Sequence, residues 1–180
     1  MRRPAHLVYT PRMAAQPPPR ERRYITRQGF DRLRAELHFL LVEERPRVTH
    51  EVAVAAAHGD RSENYEYKLG KRKLREIDGR IHRLQKQLDN YEVVDVGQRP
   101  RTDRAFFGAT VTVEDEDGVE ATWQIVGGDE LTEELGPGRI SYEAPLGKAL
   151  LGKREGDVVR VRRPAGQIEL TVVKVEWKDR

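Results

Sequence analysis

A chain of 180 residues with 35% charged and 37% apolar side chains and a formal net charge of +3 has room for one or two domains, and suits an elongated molecule with much solvated surface. It contains no run of 18 apolar residues, which excludes a membrane-spanning helix, and its zero cysteines exclude disulfides and thiolate metal sites and point to a reducing, cytoplasmic setting. The small net charge conceals a division, since residues 1–24 carry six basic and one acidic side chain, residues 64–91 eight and four, and residues 105–180 ten and fifteen; the acidic C-terminal part makes free duplex DNA a poor match as main ligand.

Residues 1–23 are rich in Arg and Pro, with Pro17, Pro18 and Pro19 in succession. They lack the apolar stretch of a secretory signal and enough apolar surface to order themselves, so a disordered extension is expected. From residue 26 to 91 the period is helical. Apolar residues fall at Phe30, Leu33, Leu37 and Leu40, and again at Leu74, Ile77, Ile81, Leu84, Leu88 and Tyr91, alternating three and four apart as a heptad seam requires. Folded on itself, the segment pairs Phe30 with Tyr91, Leu33 with Leu88, Leu37 with Leu84 and Leu40 with Ile81. That register puts the fold line between Asp60 and Arg61 and predicts an antiparallel hairpin, with Thr26 as N-cap of a first helix running to about Ala57 and Pro46 bending it. At about 1.5 Å per residue, an arm of roughly 30 residues carries its apex some 45 Å from the base. A domain core needs no such length, so the hairpin reads as a device for reaching.

The periodicity ends after Glu92 and Pro100 follows, which predicts a linker over 96–104. Alternating segments then predict strands at Ala109–Val113, Ala121–Val126, Arg139–Tyr142, Val158–Arg162 and Ile168–Val175, with Asp117-Gly118 as a hairpin turn and a short helix at Leu146–Leu151. The expected organisation is α+β: an extension over 1–23, an antiparallel coiled-coil hairpin over 24–95, the linker, and a small, mostly antiparallel α+β domain over 105–180.

At the apex stands His58-Gly-Asp-Arg-Ser-Glu-Asn64. Asp60 and Glu63, three apart, can present their carboxylates to one side, and hard oxygen donors of this kind suit Mg²⁺. Two carboxylates are too few for a metal site of their own but could complete one held by another molecule. Spacing alone leaves a plainer alternative open, in which Asp60 and Glu63 form a capping box or Ser62 caps the second helix. On the second arm Lys68, Lys71, Arg72 and Arg75 follow helical spacing along one flank, with Lys73 on the other. They are either a solvated face covering the seam edge or a stripe that tracks phosphates without reading sequence.

The run His58 to Tyr67, followed by Lys71-Arg-Lys-Leu-Arg-Glu-Ile-Asp78, resembles the signature of the bacterial GreA/GreB transcript-cleavage factors, and Arg61-Ser62 with Leu74-Arg-Glu-Ile-Asp78 resembles the GreB branch. The similarity continues through Phe106-Phe-Gly-Ala-Thr-Val-Thr-Val113, Ile125-Val-Gly127, Ser141 to Lys148 with Pro145, and Pro164-Ala-Gly166. It implies a coiled-coil hairpin joined to an FKBP-like domain. It also implies a monomer that is not itself an enzyme and that binds bacterial RNA polymerase, passing the hairpin down the secondary channel. There Asp60 and Glu63 would help hold the polymerase's second catalytic Mg²⁺, and the polymerase would cut its own backtracked RNA. Carried over by position, the basic patch falls on Lys71, Arg72, Lys73 and Arg75, facing the extruded RNA 3′ segment, and Lys68 of the helical stripe joins them in the expected RNA-binding set. Tyr65 stands where that family commonly has a small residue, and Gly70 and Gly79 interrupt a helix in which each costs up to about 1 kcal/mol against Ala. Two rival readings follow: a channel-binding inhibitor that does not promote cleavage, and prolyl isomerisation by the C-terminal domain, for which an aromatic pocket is poorly supplied.

Overall fold

A computed structural model describes residues 23–57, 64–97, 102–132, 138–164 and 166–177. Thr26 caps the first helix as its sequence position suggests. It has extended backbone, and its hydroxyl accepts a hydrogen bond from the Gly29 N–H at 3.0 Å. The helix expected to run to about Ala57 with a bend at Pro46 comes in three pieces: α1 (Arg27–Phe39), a five-residue π turn (Leu40–Glu44) and α2 (Arg45–Ala57). In the π turn the Arg45 N–H donates to the Leu40 carbonyl, one residue further back than in an α-helix. Pro46 follows at once and can donate no N–H of its own, so the widened register falls where the ladder is interrupted.

Helix α3 (Tyr65–Leu88) returns beside them. Asn64 caps it, accepting from the Tyr67 N–H at 3.0 Å while donating to the Ala55 carbonyl at 2.7 Å, which ties the two arms together near the turn. The residues expected on the seam form two apolar clusters. Leu33 and Leu84 are buried with Phe30, Leu37, Leu40, Leu88 and Tyr91 around them, and Val48, Ile77 and Ile81 are buried with Leu74 and Val52 further along. Each fully buried Leu stabilises by roughly 2 kcal/mol relative to exposure. Ion pairs brace the flanks: Arg80 grips Glu36 through two hydrogen bonds of 2.6 and 2.7 Å, and Arg45 reaches Asp78 at 2.8 Å. At residue 70 the arms approach so closely that a Cβ there would lie 2.6 Å from Val52 Cγ2. Gly70 therefore has a packing reason.

A short parallel pair absent from the sequence reading closes the base of the arm. β1 (Arg23–Thr26) pairs with β2 (Tyr91–Val94), Arg23 opposite Tyr91 and Thr26 opposite Val94. Arg23, assigned from sequence to the extension, is thus the first residue of a strand, and Tyr91 leaves the helix. Four-residue strands abutting strong helical periods leave no alternation long enough to read.

The C-terminal part is a five-stranded sheet in the order β5-β4-β3-β7-β6, built from β3 (Thr110–Asp115), β4 (Glu120–Val126), β5 (Arg139–Ser141), β6 (Val158–Arg163) and β7 (Gly166–Glu176). All neighbours are antiparallel except β4 and β5, which run parallel. The Asp117-Gly118 turn is present, with Gly118 at φ +78°, and a bulge at Thr112/Val113 leaves Val173 of β7 without a partner on β3. Val111, Val113, Ile125, Leu150, Val161 and Val172 form its core, with Leu150 supplied by α4 (Pro145–Leu150). Among the described residues no helix is long and apolar enough to cross a membrane.

The base of the arm and the sheet meet through a 3₁₀ turn, Gly128–Glu130. Glu130 is wholly buried. Its Oε2 accepts from the Thr26 N–H at 3.0 Å and the Gly127 N–H at 2.9 Å, and its Oε1 accepts from the Thr26 hydroxyl. The hydroxyl that starts α1 is therefore bound to a carboxylate 104 residues away. Beside it Asp129 accepts from the Tyr91 hydroxyl and from Arg23 at 3.5 Å, while its carbonyl accepts from Arg32 at 2.8 Å. The rings of Tyr24, Phe107 and Tyr142 pack together at centroid separations of 5.6–5.9 Å on the other side of the joint.

Candidate functional site

Asp60 and Glu63, with His58, Gly59 and Ser62, lie outside the described residues. What surrounds them is described. Asn64 is the N-cap of α3, so the capping that sequence spacing offered to Asp60 or Ser62 for that helix is already supplied. Tyr65, the first residue of α3, is 74% exposed. Among the described residues no group of three or more His, Cys, Asp or Glu side chains stands ready to hold a metal ion.

Lys68, Lys71, Arg72, Lys73 and Arg75 are all exposed, yet they divide into two kinds. Arg72 is engaged by Glu76 one turn on, at 3.0 Å. Lys73 turns towards the first arm and pairs with Glu44 of the π turn at 2.9 Å. Glu44 is also gripped by Arg47 at 2.7 Å, and these two cations, Arg47 foremost, hold its carboxyl below the ordinary range. Lys68, Lys71 and Arg75 follow i, i+3, i+7 spacing on α3 and so share one stripe, about 10 Å long, on the side away from the Ile77–Ile81 seam. Three cations in line, none paired with another described residue, suit a phosphate backbone, which presents charge at regular intervals and asks for no fixed hydrogen-bond pattern.

A concavity lies on the sheet, a groove of about 480 Å³ lined by Val113, Trp123, Ile140, Pro145, Leu146 and Ile168 among others. Among the described residues Trp123 is its one aromatic lining residue, which is a sparse supply for holding a prolyl peptide. Sequence reasoning missed Asp129 and Glu130 altogether. Two acids after Gly-Gly read as an ordinary polar turn, and nothing in their spacing announces partners a hundred residues earlier.

Comparison with known proteins places both halves of the chain. Residues 23–93 match the family described as transcription elongation factor, N-terminal (GreA_GreB_N), and residues 100–177 match transcription elongation factor, GreA/GreB, C-term. Transcription elongation factor GreB of Pseudomonas aeruginosa is 52% identical over 154 residues, 85% of this chain and 89% of that protein. The GreB of Haemophilus influenzae is 47% identical over 157 residues, 86% of this chain and 96% of that one. Among solved structures, the GreA factor homolog 1 (Gfh1) of Thermus thermophilus covers 86% of this chain at 27% identity with a TM-score of 0.39, so the assignment rests on the sequence matches. On those matches, which span both halves and extend over most of the chain, the protein belongs to the GreA/GreB family of transcription elongation factors.

Proposed function

We propose that the protein binds bacterial RNA polymerase in the cytoplasm, inserts its helical arm into the secondary channel as a coiled-coil hairpin, and stimulates cleavage of backtracked RNA by the polymerase. In this reading the C-terminal sheet is an FKBP-like domain that docks outside the channel, and Asp60 and Glu63 reach the catalytic centre at the end of the arm. The observation that supports it most is the arm itself. From Arg27 to Ala57 the chain runs through consecutive helical turns, a reach of about 45 Å at 1.5 Å per residue.

The donor set fits a shared magnesium site and not a private one. One or two carboxylates are what Mg²⁺ ordinarily takes from one partner, the rest of its shell being water and substrate oxygens. Magnesium bound there would neutralise phosphate charge and make its water more acidic. The chain's own contribution is positional: Asp60 and Glu63 supply anionic oxygens, and Lys68, Lys71 and Arg75 attract the extruded RNA 3′ segment. Backtracked complexes incubated with wild type, Asp60→Asn and Glu63→Gln test the reading. Wild type is expected to shorten the transcript and the two variants to lose most of that activity, whereas equal cleavage by all three would sink it.

A second reading, channel-blocking inhibition without cleavage, is favoured by the outward Tyr65, whose exposed ring adds bulk where the arm would be narrowest. Nucleotide addition measured in the same complexes separates the two, because an inhibitor slows addition and leaves cleavage unchanged.

A further inference from the structure

We propose that Asp129 and Glu130 are positioning residues that set the angle between the helical arm and the C-terminal sheet, and through that angle the place the arm's far end reaches. The inference rests on the cleavage role proposed above. Three features of the joint carry it. Glu130 is 0% exposed and its three hydrogen bonds all come from the junction itself, from Thr26 and Gly127. Its side chain fills the space that a Cβ on Gly29 of α1 would occupy, 2.6 Å from that position, so carboxylate and helix are in direct contact. Asp129 extends the grip to β1, β2 and α1 through Arg23, Tyr91 and Arg32. The dipeptide thus touches β1, β2 and α1, and meets α3 as well through Gln87 at 3.4 Å.

The lever is long. A rotation of 5° at the base moves a point about 45 Å away by ~4 Å, whereas a misplacement of about 1 Å can cost a reaction ~100-fold. Contacts at the joint therefore govern the chemistry more stringently than their distance from it suggests.

The chain has no cysteine, so His50→Cys on α2 and Thr171→Cys on β7, both at exposed positions, accept spin labels for a distance distribution between arm and sheet. In that background Glu130→Ala leaves three donors unanswered. Asp129→Ala removes the acceptors of Arg23, Tyr91 and Gln87 while leaving the backbone carbonyl to Arg32, and Glu130→Gln keeps one acceptor oxygen for the two backbone N–H groups. Expected are a narrow distribution for wild type and Glu130→Gln, and a broadened one for both alanine variants. Those variants should also show about tenfold or slower cleavage at saturating factor, with little change in the concentration giving half-maximal effect. Should Glu130→Ala fail to show a folding transition, Asp129→Ala, at a half-exposed site, carries both readouts. Unchanged distributions in the folded alanine variants would overturn the inference, and so would a broad distribution with undiminished cleavage. Absence of cleavage by wild type would instead strike the proposed function.

Discussion

Two glycines in α3 look equivalent in sequence and are expected to respond in opposite senses to alanine. At Gly79 an added Cβ would meet only the end of the Arg83 side chain, at 3.4 Å. The guanidinium can move aside, so Gly79→Ala should gain the intrinsic helix preference of about 0.8–1 kcal/mol. At Gly70 the new Cβ would sit 2.6 Å from Val52 Cγ2, about 1 Å inside a normal carbon–carbon contact. Valine is branched at Cβ and stiff about χ1, so it cannot yield as Arg83 does. Overpacking of this kind costs about 1–3 kcal/mol, which outweighs the helix gain, and Gly70→Ala should lose about 1 kcal/mol net. For a chain of this size each kcal/mol moves the melting temperature by about 2–4 °C, so calorimetry should show a rise for Gly79→Ala and a fall for Gly70→Ala. The double variant Val52→Ala/Gly70→Ala removes the obstructing methyl and should be more stable than the sum of its single changes. If both glycine substitutions shift the transition in the same direction, or the double variant is merely additive, close approach of the arms at this point is not what Gly70 serves.

Gly29→Ala should destabilise by about 1–3 kcal/mol, read by the same melts, because the obstructing Glu130 side chain is itself enclosed and has nowhere to go. The hydrogen bonds from Arg80 hold the Glu36 carboxyl below its ordinary range. With the folded value depressed, the stabilisation is complete above the unfolded pKa of about 4.3 and disappears as pH falls through the lower folded value. Glu36→Gln should accordingly cost about 1 kcal/mol at pH 7, discounted for partial exposure, and the gap from wild type should close in strong acid; a gap independent of pH would refute the pairing. Removing Lys71 and Arg75 together should lower the salt dependence of polymerase-complex cleavage by about 1.4 in log–log slope if both meet single-stranded phosphates. Arg72→Ala should do less, since Glu76 already holds that side chain.

Periodicity and local hydrogen-bond chemistry were legible along the chain because they depend on neighbours. Thr26 as cap, the seam through Leu33, Leu84 and Ile81, the Asp117-Gly118 turn and the five C-terminal strands each draw on residues within a few positions of one another. The heptad spacing even anticipated which residues of the two arms share clusters. The widening at Leu40–Glu44 was half legible: Pro46 announced a fault in the ladder but not that a π turn would absorb it. Arg72 finds Glu76 one turn along its own helix, whereas the engagement of Lys73 was decided by the opposing arm, since Glu44 claims it only after α3 has folded back. The same holds for Gly70, a liability by propensity that becomes a requirement once Val52 lies against it. The joint was decided by tertiary structure alone. A buried glutamate at 130 finds its donors at Thr26 because the strands around it bring the base of the arm to the sheet, and no local pattern encodes a partner 104 residues distant.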